Sequence, residues 1–103
     1  MIKNQYSEIQ VTLFPAQSGF TCRDNDALDR LLAGVNDALH KSGLRALYRT
    51  PAPCDPIASL QLNARSTDTR NHLIPHAQGV AVRSAFLALP WVGEVEVLGI
   101  CRL

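Results

Sequence analysis

Between Asp24 and Gly43, the apolar residues Leu28, Leu31, Leu32, Val35 and Leu39 recur at three- and four-residue intervals, while Asp29, Arg30, Asn36 and Asp37 fall away from them. An α-helix turns once in about 3.6 residues, so this spacing closes into one apolar stripe that must be buried against another element. The spacing predicts a helix over 25–42. Asp24, Asn25 and Asp26 supply cap oxygens and negative charge at its start, and His40 and Lys41 place positive groups in its last turn. Gly43 suits the left-handed position that follows a helix end.

The flanking segments change to a period of two. In EIQVTLF, residues 8–14, Ile9, Val11 and Leu13 share one face and Gln10, Thr12 and Phe14 the other, which predicts a half-buried strand closed by Pro15. Leu44 to Thr50 predicts a second strand, ended by PAPCDP, where Pro51, Pro53 and Pro56 forbid regular structure. Ile57 to Ala64 predicts a third, with Ala58, Leu60, Leu62 and Ala64 inward and Ser59, Gln61, Asn63 and Arg65 outward.

Near the C-terminus, Pro75 suits the first turn of a helix and Pro90 cannot continue one, so a helix is expected over about 75–88. Gly79 and the valines leave a rival open: a β-hairpin in which VAVRSAFLAL and EVEVLGICRL are joined by PWVG. Either way EVEVLGICRL is a strand. With the helix, the order is β-α-β-β-α-β, and the expected fold is α+β of the ferredoxin-like type, a four-stranded antiparallel sheet with two helices on one face, in a single domain over 1–103.

Composition narrows the function classes. The chain is 47% hydrophobic and 18% charged, on the side of folding sequences. Ten Lys and Arg against nine Asp and Glu leave a formal charge of +1, which gathers neither phosphate backbones nor anionic lipid. MIKNQYSEIQ lacks an apolar signal core, and no segment approaches the about 20 apolar residues of a membrane span; a cytoplasmic protein is expected, with no membrane partner. The three cysteines, Cys22, Cys54 and Cys101, form no C-x-x-C pair, so free thiols are expected rather than a disulfide framework or zinc ribbon.

In the expected fold the helices cover one sheet face, and the other must meet water, a ligand or another subunit. Val95, Val97, Gly99, Cys101 and Leu103 are assigned to the helix side. Glu94, Glu96, Leu98, Ile100 and Arg102 are then on the open face with Gln10, Thr12 and Phe14, and with Gln61, Asn63 and Arg65. An RNA-recognition sheet needs stacked aromatics on its central strands, and Phe14 alone answers, so nucleic acid is not the expected partner. Polar groups around Phe14, Leu98 and Ile100 fit a homodimer interface.

The ending LALPWVGEVEVLGICRL, residues 87–103, together with the element order, resembles the closing helix, proline-containing loop and final strand of small dimeric α/β-barrel proteins, the group of muconolactone isomerases and antibiotic-biosynthesis-type monooxygenases. The resemblance implies a homodimer with sheets face to face and a ligand cleft between each sheet and its helices. It transfers no functional residue.

Candidate chemistry is sparse. His72 and His76 are four apart, as ligands on one helix would be, with Asp68 nearby, but Pro75 places His72 outside the helix and no metal is expected. Cys54 as a nucleophile would need His40, His72 or His76 as its base, and no family spacing pairs them. In NARSTDTRNH, residues 63–72, Arg65 and Arg70 with Ser66, Thr67 and Thr69 are natural anion ligands, although the same residue types also serve turns and caps. Tyr48 and Trp91 complete the candidate ligand-binding set of Arg65, Arg70, His72 and His76; Trp91 after Pro90 suits a pocket wall or interface anchor. The first expectation is a small non-catalytic binding domain, homodimeric through its open sheet face, with a small molecule or protein as partner and no cofactor. The alternatives are a small cofactor-independent enzyme of the α/β-barrel type, with His or Tyr as acid/base, and a phage or mobile-element interaction or inhibitor protein.

Overall fold

The structure, a computed structural model, describes residues 5–68 and 70–101. Its elements are β1 (Gln5–Tyr6), β2 (Glu8–Pro15), α1 (Asn25–Lys41), β3 (Leu44–Tyr48), β4 (Leu60–Ser66), β5 (Ile74–Pro75), α2 (His76–Leu87) and β6 (Val92–Ile100). They form an α+β fold with a four-stranded sheet in the order β3-β4-β2-β6 and a small β1-β5 pair; every pairing is antiparallel.

Helix α1 forms where the apolar stripe requires it. The Asp24 carboxylate accepts from the Ala27 N–H at 2.8 Å, satisfying one of the free amides of the first turn. At the other end Gly43 takes φ +69°, a left-handed backbone that glycine adopts without a Cβ penalty, and the Gln78 side-chain amide donates to the Ser42 carbonyl. Leu28, Leu31, Val35, Ala38 and Leu39 are buried. They pack with Ile9, Val11 and Leu13 of β2, Leu60, Leu62 and Ala64 of β4, and Val82 and Phe86 of α2 in one core. Burial of that apolar surface, worth about 25 cal/mol per Å², is what holds both helices on this side of the sheet.

Residues 76–87 are helical, and the hairpin alternative falls. Pro75 is the N-cap at ψ 151°, and Gly79, Val82 and Phe86 are buried at helical spacing, whereas a strand would put Gly79 on the opposite face from the other two. The Arg83 guanidinium also donates to the Val95 carbonyl at 3.3 Å, tying α2 to β6.

Several expected strand boundaries are corrected, the second strand ending at Tyr48 rather than Thr50 and the last running Val92–Ile100. The third strand begins at Leu60, not Ile57; Ala58 is exposed rather than inward, and Ile57 is buried. The proline segment pairs elsewhere: the Ile57 N–H donates to Phe20 O at 2.8 Å and the Cys54 N–H to Cys22 O at 2.7 Å, anchoring it to the stretch before α1. Cys101, expected on the helix side, lies exposed beyond the end of β6, its thiol donating to Gln5 O at 3.3 Å. Thr69, Arg102 and Leu103, to which the sequence reading gave roles, lie outside the described residues. The β1-β5 pair had no legible sequence signal; it lays Tyr6 against Gly99 and 6.4 Å from the His76 ring. Among the described residues no helix is long and apolar enough to cross a membrane.

Candidate functional site on the open sheet face

Side chains alternate across a strand, so the parity that buries Ile9, Val11 and Leu13 turns Gln10, Thr12 and Phe14 the other way. The registers then fix rows across the open face. One row runs Leu47, Asn63, Gln10, Leu98; the next begins with Arg45 opposite Arg65 and ends with Glu8 opposite Ile100. Leu47 is 82% and Leu98 60% exposed, the two most exposed large apolar residues described. Both are held into solvent, one at each end of the row, with polar Asn63 and Gln10 between them.

Charge is arranged as well. Arg45 and Arg65 face each other on neighbouring strands, a like-charge pairing that costs free energy unless offset. Arg65 Nε donates to Glu8 Oε1 at 3.0 Å, and Glu8 is the more buried partner. These residues, with Leu47 and Asn63, line a depression of about 500 Å³. His72, Ser7 and Ser66 continue it at one end. Arg65 and His72 are thus brought together as candidate binding residues.

The other candidates are scattered. Arg70 is exposed in the connection after β4, its N–H donating to Asp68 Oδ1 at 2.8 Å; Asp68 N–H in turn donates to Ser66 Oγ and Leu73 N–H to Asn71 Oδ1, so this stretch uses its polar groups to make turns. His76 opens α2 beside Tyr6. Tyr48 lies on the helix side of β3, where its hydroxyl donates to Asn36 Oδ1 of α1 at 2.8 Å. Trp91 stacks on Phe20 at 5.6 Å and 13°, half-buried at the rim of the core. Phe14 and Ile100, half-buried, and the exposed Leu98 share the open face as expected.

Sequence reasoning missed Glu8, Arg45 and Leu47. A signal existed for the last two: Arg45, Leu47 and Arg49 alternate with Leu44, Ala46 and Tyr48, and only the phase was left unread. Among the described residues no group of three or more His, Cys, Asp or Glu could hold a metal ion.

Cys54 sits at φ +71°, its thiol donating to Arg23 O at 3.1 Å. Cys22 is buried, and burial, with the nearby Asp24 carboxylate, pushes its thiol up from the ordinary range. Because the thiolate is the nucleophile, alkylation of the folded protein near neutral pH is expected to modify the exposed Cys54 and Cys101 and to spare Cys22 until denaturant is added, as read by peptide mass spectrometry. Stability follows the same sign. A thiol whose pKa is higher folded than unfolded contributes fully below its unfolded value, and that contribution is lost as pH rises from there through the folded value.

No protein-family model matches the chain, and no curated protein and no solved structure matches it.

Proposed function

We propose that the chain is a small non-catalytic binding domain of ferredoxin-like arrangement whose functional surface is the open sheet face, and that this face binds a second copy of the chain. The observation that carries the reading is the exposure of Leu47 and Leu98 at opposite ends of one cross-strand row, with polar Asn63 and Gln10 between them. Apolar side chains within a polar rim are the composition of a self-associating surface. The strand order β3-β4-β2-β6 and the position of both helices on the opposite side support the ferredoxin-like arrangement and leave this face free to pair. The space between sheet and helices is occupied by fully buried side chains such as Phe86, Leu39 and Leu62, which favours a surface binder over an enzyme with its cleft there.

Light scattering at about 100 µM, above the micromolar range of weak complexes, is expected to report a mass near twice 11.3 kDa. Leu98→Asp is expected to weaken association about tenfold or more, because enclosing an unpaired carboxylate costs at least about 1.4 kcal/mol. A mass of 11.3 kDa at all concentrations, unaltered by the substitution, overturns the reading.

A further inference from the structure

The open face is divided by charge. Among the described residues its β3–β4 half carries Arg45 and Arg65 and no acid, and its β2–β6 half carries Glu94, Glu96 and Glu8 and no base, with Glu8 already paired to Arg65 between the two halves at 3.0 Å. The boundary runs along the strands, between β4 and β2. From this division we propose, resting on the sheet-face pairing above, that two copies associate about a two-fold axis parallel to the strands and lying over that boundary.

The axis follows from what each rotation brings together. Packed sheets lie about 10 Å apart with strands within about 30° of each other, so two rotations in the plane between the sheets need comparison. A two-fold along the strands sets β3 over the partner's β6 and β4 over the partner's β2. Leu47 then meets the partner's Leu98, Asn63 the partner's Gln10, Arg65 the partner's Glu8 and Arg45 the partner's Ile100, and no like charges face each other. A two-fold across the strands sets β6 over the partner's β6 and β3 over the partner's β3. It gathers Glu94 and Glu96 of both copies at one edge and the arginines of both at the other. Each surface pair is worth little alone, and salt screens it beyond about 8–10 Å, but like charges facing across a closing interface penalise the wrong register. The leucines supply affinity, and the charges select orientation.

Cross-linking reads the axis directly. In a Cys54→Ser, Cys101→Ser background, which leaves only the buried Cys22, Leu47→Cys and Leu98→Cys are prepared as separate variants and treated with a bis-maleimide whose reach matches the about 10 Å sheet spacing. With the axis along the strands, position 98 of one copy lies three strand spacings, about 14 Å, sideways from position 98 of the other, and directly over its position 47. The equimolar mixture is therefore expected to give covalent dimer, and each variant alone none above the background protein. Covalent dimer from Leu98→Cys alone or Leu47→Cys alone, with no greater yield in the mixture, overturns the axis while leaving the sheet-face dimer standing. A background protein that sediments as a monomer at every concentration overturns both.

Discussion

Phe86→Ala is expected to lower the unfolding free energy by about 3–5 kcal/mol, the range for deleting a fully buried aromatic ring. Phe86 is 0% exposed and is the largest of the fully buried side chains, on the face of α2 that meets the sheet. Its removal forfeits the transfer free energy of the ring and leaves a cavity that β2, β4 and α1, already committed to hydrogen-bonded positions, can close only in part. Domains of this size have about 5–15 kcal/mol in total, so the melting temperature should fall by more than about 10 °C. Urea titration checks it through a lower midpoint at unchanged slope, with all proteins at one concentration so that the proposed self-association weighs on each alike. Leu87→Ala, at a neighbouring residue 38% exposed, is the control and should cost much less. Equal losses from the two would mean that α2 does not present Phe86 to the core.

The second large effect comes from adding one methyl group. A Cβ built on Gly93 would stand 2.7 Å from Ala16 Cα and 3.1 Å from Ala16 N. The chains approach this closely because the β2–β6 register shifts between Phe14 and Pro15, and the Ala16 N–H donates to Trp91 O at 2.8 Å just beyond the shift. The obstacle is backbone, which cannot rotate aside, so Gly93→Ala must part the strands and is expected to cost about 1–3 kcal/mol. Gly34→Ala should go the other way. Gly34 lies within α1, its added Cβ would meet only Leu89 Cδ2 at 3.4 Å, and alanine in a helix interior gains about 0.5–1 kcal/mol. Thermal unfolding of the two variants should move in opposite directions, and a stabilising Gly93→Ala would contradict the close approach.

Much of this fold was legible because it repeats a local rule. The stripe from Leu28 to Leu39 marks α1 within a residue at its C-terminal end, and the parity of Ile9, Val11 and Leu13 separates the two sheet faces. Parity alone assigns Glu94, Glu96 and Leu98 to the open face, and the registers with β2 agree. Legibility failed where pairing is non-local. The start of β4 depends on hydrogen bonds from Ile57 to Phe20 and from Cys54 to Cys22, partners more than thirty residues away in the chain, and these draw Ile57 out of the strand. Tyr48 looked like a pocket residue, and only the approach of α1 shows that its hydroxyl is engaged by Asn36.

Helix and strand periods, the cap at Asp24, the left-handed turn at Gly43 and the turn-forming use of Ser66, Asp68 and Asn71 were determined by the sequence alone, because each involves residues within a few positions of one another. Which strands lie side by side was decided by the tertiary structure. That choice brings Arg65 to Glu8 across 57 positions, sets Arg45 against Arg65, and places Leu47 and Leu98 at the two ends of one row. Parity tells a residue which face it occupies, and only packing over the whole core tells it what stands beside it.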